Sequence, residues 1–163
     1  MMQRIRKREF NDNLDNGYAR IQCFPGATPK YLHHHVLPFL IEDKPQTLVI
    51  HGGTNSIRDH DQTPDKIANQ VIDIGKTARS LGVDNIVITG LITRRNGIEI
   101  ERKRRAVNTE LSKKCFIHNF IFVNNDNIVL EDIFDDRVHL EESGSIKLAN
   151  NILRTLNTNQ QLL

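Results

Sequence analysis

Short apolar runs alternate along this chain with segments of helical periodicity, and few architectures accept that alternation. ARIQCF (19–24), QTLVIH (46–51), NIVITG (85–90) and FIFVNN (120–125) read as strands. PGATP closes the first, and Thr28 followed by Pro29 predicts a cap and first turn for a helix through Leu32, Val36, Phe39 and Leu40. Thr63 and Pro64 repeat that signal before Ile67, Val71, Ile74, Ala78 and Leu81, and Gly82 ends the helix. A third helix carries Ala106, Val107, Leu111 and Cys115, and a last one from about Ser143 buries Ile146, Leu148, Ala149, Ile152, Leu153 and Leu156. Continuously apolar strands separated by amphipathic helices predict a parallel sheet covered on both faces, a three-layer α/β/α sandwich. In such sheets the carboxyl ends of the strands carry the site. PGA, HGGTN, TGLITRR and NNDN all lie there.

With 163 residues, 38% of them hydrophobic, the chain suits one domain, spanning 19–157 between a charged segment (1–18) and a short tail (158–163). A net charge of +2 implies no polyanion partner by itself, but the charge is uneven: RIRKR (4–8) and TRRNGIEIERKRR (93–105) are basic, NNDNIVLEDIFDD (124–136) acidic. Arg94, Arg95, Arg102, Lys103, Arg104 and Arg105 are therefore candidate contacts for RNA or DNA phosphates, with solvated helix faces as the plainer reading. Cys23 and Cys115 form no CxxC, and no apolar run approaches the roughly 20 residues that span a bilayer, so a reduced, cytoplasmic protein without a membrane anchor is expected. The three histidines of HHH (33–35) stand about 100° apart around a helix and do not converge on a metal. GGTN lacks the Gly-Lys-Ser/Thr of a phosphate-binding loop, and no cofactor is expected.

Chemistry enters with DDRVHL (135–140), in which Asp136 lies three residues before His139. A carboxylate at that spacing can hold one ring nitrogen and leave the other as a general base. Asn55, at a strand end in HGGTNS, can offer its side-chain amide to a developing oxyanion, and Gly26, in a tight turn, its backbone N–H. Singly, each has a plainer reading: a capped loop histidine, a turn asparagine, a turn glycine.

Together, in this order, FPGAT, GGTNS and DDRVHL resemble the SGNH hydrolases, also called the GDSL esterase and lipase family, from about Arg20 to Leu153. HLEESGSIKLANNIL is similar to the family's closing helix. The resemblance implies a flavodoxin-like sheet, Asp136 and His139 as catalytic pair, Gly26 and Asn55 as oxyanion-hole donors, and a small ester as substrate. Two departures stand out. Ser56 replaces the aspartate that usually follows the block's asparagine, and the Gly-Asp-Ser block that supplies the nucleophile, with its apolar first strand, is missing before Ala19. Ser56 lies nearest the site but lacks the small-residue elbow that exposes a nucleophile. In this fold the missing strand lies between those that ARIQCF and TLVIH resemble, so either the chain is a truncated copy or its sheet has closed the gap. Two functions stay open: a hydrolase-derived domain whose catalysis is lost or truncated, and a non-catalytic module that binds RNA through its basic segments.

Overall fold

Two of the helices begin where a threonine precedes a proline. In the computed structural model, which describes residues 5–136 and 138–160, the order is α1 (Lys7–Asp12), α2 (Pro29–Asp43), β1 (Thr47–Ile50), α3 (Pro64–Ser80), β2 (Asn85–Thr89), α4 (Ile98–His118), β3 (Ile121–Val123) and α5 (Glu142–Gln160). The Thr28 hydroxyl accepts the Tyr31 N–H at 3.4 Å and the Thr63 hydroxyl the Lys66 N–H at 3.2 Å, which satisfies amides that the first helical turn leaves over.

The chain divides into two compact units. One, Phe24–Ile92 with Gly97–Val123, holds α2, α3, α4 and the sheet. Its strands are parallel in the order β1-β2-β3, with Val49 opposite Val87 and Val87 opposite Ile121. Ile86 and Ile88 of β2 pack into a core with Ile67, Val71, Ile74 and Ala78 of α3 and Val107, Leu111 and Cys115 of α4. Val87 and Thr89, on the opposite face, are equally buried, as parallel strands require. Helix α3 approaches the sheet at Gly75, where a Cβ would stand 2.7 Å from the Phe120 ring and 2.9 Å from Ile86. Past β2, the Leu91 N–H donates to Asn108 Oδ1 (2.7 Å) and the Leu91 carbonyl accepts from Asn108 Nδ2 (2.9 Å), so a side-chain amide on α4 replaces a strand neighbour.

The other unit, Met1–Cys23, Thr93–Asn96 and Asn124–Leu163, contains α1, α5 and an isolated antiparallel bridge between Ile133 and Leu140. Phe10 on α1, Ile133, Leu140 and, on α5, Leu148, Ile152 and Leu153 are buried.

The α/β class with a parallel sheet is as expected, and among the described residues the sheet has three strands, with none before β1. ARIQCF is therefore not the strand that its composition predicts. Its first residue, Ala19, gives its N–H and receives its carbonyl hydrogen bond from the Asn11 side chain (2.6 and 3.2 Å), not from a ladder. Three positions also differ from expectation: Ile146 is 53% exposed, Leu81 follows the end of α3 and is exposed, and Ala106 faces solvent while Val107 is buried. Arg4 and residues 161–163 lie outside the described residues.

Candidate active site

The Ile133–Leu140 bridge closes a short loop, and the Asp136–His139 pair forms inside it. The Phe134 N–H donates to the His139 carbonyl at 2.9 Å, and the Glu141 N–H to the Asp132 carbonyl at 2.8 Å. Asp136 Oδ1 accepts the backbone N–H groups of His139 (2.9 Å) and Val138 (3.0 Å), while Oδ2 lies 2.6 Å from His139 Nδ1. These hydrogen bonds, the His139 N–H first, then the Val138 N–H and the imidazole, hold the Asp136 carboxyl below the usual carboxylate range. An ionised carboxylate only accepts, so Nδ1 is the donor, and in the neutral ring the lone pair falls on Nε2, as a general base needs. Both side chains are about half exposed, open to a substrate from solution.

The loop is anchored by a residue that the sequence reading passed over. Asp132 is 3% exposed, and its carboxylate accepts Lys147 Nζ (2.7 Å), the Ser143 hydroxyl (2.7 Å) and the Val129 N–H (2.9 Å). Burial opposes its charge, but these three donors outweigh burial and hold its pKa below the ordinary value. Its two side-chain partners lie 11 and 15 positions away, beyond the reach of local pattern reading.

Gly26 and Asn55 meet in the other unit. Phe24 to Ala27 make a β-turn closed by the Ala27 N–H on the Phe24 carbonyl (3.1 Å), with Pro25 and Gly26 (φ +74°) at its centre. Proline followed by a positive-φ glycine is the pattern of a type II turn. Asn55, exposed in a single 3₁₀ turn (Thr54–Ser56), donates through Nδ2 to the Ala27 carbonyl at 3.0 Å. One of its two amide hydrogens is thereby fixed beside Gly26 and the other remains for a second acceptor. Gly53, preceding that turn, has φ +106° and only a hydrogen facing Ile67, at 3.3 Å from where a Cβ would stand. Ser56, the serine nearest in sequence, is 3% exposed and its side chain is closed off from substrate.

The cationic residues differ in exposure and in partners. Arg94 and Arg104 are 6% and 5% exposed: Arg94 Nε donates to Asn96 Oδ1, and Arg104 grips the Glu101 carboxylate and the Leu91 carbonyl. Such burial speaks against the nucleic-acid contacts that the sequence suggested for them. Arg95 is committed to the Leu130 carbonyl and Asp135, Lys103 Nζ donates to the Asp59 carbonyl, and Arg105 pairs with Glu101. Arg102 is exposed on α4. At the N-terminus, Arg6 pairs with Glu9 and Glu142, and Arg8 with Asp12. Of the histidine run, His33 meets the Thr77 hydroxyl at 2.9 Å, while His35 stacks on Tyr31 with ring centroids 4.0 Å apart. Among the described residues no cluster of His, Cys, Asp or Glu could hold a metal, and no helix is long and apolar enough to cross a membrane.

His51, at the end of β1, places Nδ1 2.5 Å from the Thr89 hydroxyl at the end of β2. Desolvation pushes its pKa down to about 4. The folded state thus binds fewer protons than the unfolded chain, where a histidine titrates near ~6.5, and the stability this confers is complete above that pH and falls as pH drops toward 4. Urea midpoints measured from pH 7 to pH 5 should show a loss of about 2 kcal/mol that His51→Asn abolishes. An unchanged slope in the variant would contradict the assignment.

No family model matches the chain, and no curated protein matches it by sequence. Solved structures do. A GDSL-like lipase from Bacteroides thetaiotaomicron superposes with a TM-score of 0.72 at 15% identity, over 82% of this chain and 73% of that one. A carbohydrate esterase family 3 protein from Talaromyces cellulolyticus gives 0.73 at 15% identity, over 92% and 79%. A catalytic serine-to-alanine mutant of an acetylxylan esterase from Geobacillus stearothermophilus gives 0.67 at 19% identity, over 80% and 68%. At these identities the likeness is one of fold, which this chain shares with a GDSL-like lipase and two esterases.

Proposed function

We propose that this chain carries the proton-transfer and oxyanion-binding groups of a hydrolase acting on small esters. His139 is the general base through Nε2, Asp136 its orienting carboxylate, and Asn55 Nδ2 and the Gly26 N–H the donors to the tetrahedral oxyanion. The observation that carries the reading is the Asp136 carboxylate, fixed by two backbone N–H groups on one oxygen and 2.6 Å from His139 Nδ1 on the other. A loop histidine satisfied only by chance needs no such second grip on its partner. That two of the structural neighbours named above are esterases supports the substrate class.

In the complete serine mechanism a hydroxyl attacks the ester carbonyl, its proton passes to His139 Nε2, and the same proton leaves with the alcohol. Water then attacks the acyl-serine with His139 again accepting the proton. None of the five serines of this chain stands in a Gly-Asp-Ser block. Ser56 and Ser145 are buried, and the hydroxyls of Ser80 and Ser143 donate to the Thr77 carbonyl and Asp132. In this reading water is an attacking group that His139 can activate, and turnover is slow without an exposed nucleophile. With a short-chain nitrophenyl ester at pH 7.5, we expect slow release above the buffer rate that His139→Ala removes and Ser56→Ala leaves intact. A burst of nitrophenol followed by fast turnover would reveal a nucleophile and sink the expectation of slow turnover; a rate unchanged in His139→Ala would sink the role of the pair.

Nucleic-acid binding through the basic segments retains Arg102, Lys103 and Arg105 as its contacts on α4. Affinity falling steeply with salt is the mark of that alternative.

A further inference from the structure

Arg95 was a candidate phosphate contact on sequence grounds, yet its guanidinium is turned onto its own unit. Nε and Nη2 both donate to the Leu130 carbonyl, at 3.1 and 3.0 Å, and Nη1 lies 3.0 Å from Asp135 Oδ1. Two planar N–H groups on one carbonyl fix the guanidinium plane, and the third ties it to the residue before Asp136. Between the two anchor points runs the segment Leu130–Asp135, whose Phe134 N–H holds the carbonyl of His139 itself. The ion pair alone is worth little, because Asp135 is fully exposed. What the fork supplies is geometry: it fixes the start of the loop from which Phe134 reaches His139 and Asp136 reaches its imidazole.

We propose that Arg95 is a positioning residue for the Asp136–His139 pair, holding the imidazole in the Nδ1–H tautomer through the Leu130–Asp135 segment. The proposal rests on the reading of that pair as a general base. A lysine can keep the ion pair with Asp135 but cannot donate two coplanar N–H groups to Leu130. Asp135→Asn does the reverse, weakening the ion pair and leaving the fork.

The readout is the ring nitrogen spectrum of His139 in the full chain, assigned by its loss in His139→Gln. We expect the unaltered chain to show a protonated Nδ1, slow to exchange with water, and an unprotonated Nε2. Arg95→Ala and Arg95→Lys should both lose the slowly exchanging Nδ1–H and shift the ring toward the Nε2–H form, while Asp135→Asn keeps it. An Arg95→Ala protein that melts earlier but retains the wild-type His139 tautomer and exchange would overturn the proposal and leave Arg95 a structural tie. Retention of the signal in Arg95→Lys would overturn the part assigned to the fork. If the unaltered chain, like Asp136→Asn, shows the Nε2–H form, the general-base reading fails, and the proposal with it.

Discussion

Arg104→Met is expected to lower the stability of the fold by about 3 kcal/mol, and adding Glu101→Leu to recover most of that loss. Arg104 is buried, with Nε and Nη2 on the Glu101 carboxylate (2.9 and 2.7 Å) and Nη1 on the Leu91 carbonyl (2.9 Å). Methionine fills a similar volume without a donor. It takes the buried guanidinium away from a mostly buried carboxylate that keeps the exposed Arg105, while Leu91 keeps its bond from Asn108. Removing one member of a buried ion pair costs more than the pair contributes, so removing both members should be nearly neutral. A double-mutant cycle by urea denaturation measures it. A single variant that loses less than about 1 kcal/mol, a surface-like value, would return Arg104 to the pool of solvent-facing cations.

The basic stretch around Arg104 shows where sequence legibility ends. TRRNGIEIERKRR reads as a charged surface because arginine is seldom buried, and the sequence does not announce that α4 turns one face of it inward. The signal was present in part: Glu101 stands three residues before Arg104 and four before Arg105, the spacing of a helical ion pair. Helix starts were legible because Thr-Pro capping is local, and the burial of Ile67, Val71, Ile74 and Ala78 because periodicity is local. ARIQCF failed for the opposite reason. A strand exists only by pairing, and Ala19 has Asn11 as its partner. The candidate site divides along the same line. Asp136 and His139 are three residues apart and could be read directly, whereas the Asn55 bond to Ala27 spans 28 residues and the Arg95 bond to Leu130 spans 35.

Gly144→Ala should destabilise the chain by about 2 kcal/mol and loosen the Asp136–His139 loop at the same time. Alanine favours a helix interior over glycine by nearly ~1 kcal/mol, so on propensity alone this change in α5 should stabilise. The surroundings reverse the sign. A Cβ on Gly144 would lie 2.7 Å from the Asp132 carbonyl oxygen, 2.7 Å from Leu140 Cδ2 and 2.9 Å from Asp132 Cβ. The carbonyl is backbone and cannot rotate aside, so either α5 withdraws or the Asp132 segment does. Asp132 accepts Lys147, Ser143 and the Val129 N–H on its carboxylate and the Glu141 N–H on its carbonyl, and withdrawal lengthens some of these bonds inside a buried site. Leu140 pairs with Ile133 across the mouth of the loop, so the displacement reaches His139 from its C-terminal side. Thermal melting gives the first effect and hydrogen exchange at the His139 and Val138 amides, both bound to Asp136, gives the second. The control is Gly82→Ala, where a Cβ would meet nothing within 4 Å and the cost is backbone strain at φ +93° alone. That variant should lose stability without changing exchange at Val138 and His139. If Gly144→Ala behaves the same way, or stabilises, the close approach of α5 to Asp132 is not what holds the pair in place. In that case the glycine in HLEESG answers only to helix geometry, and the resemblance of this closing helix to that of the esterases carries no information about the site.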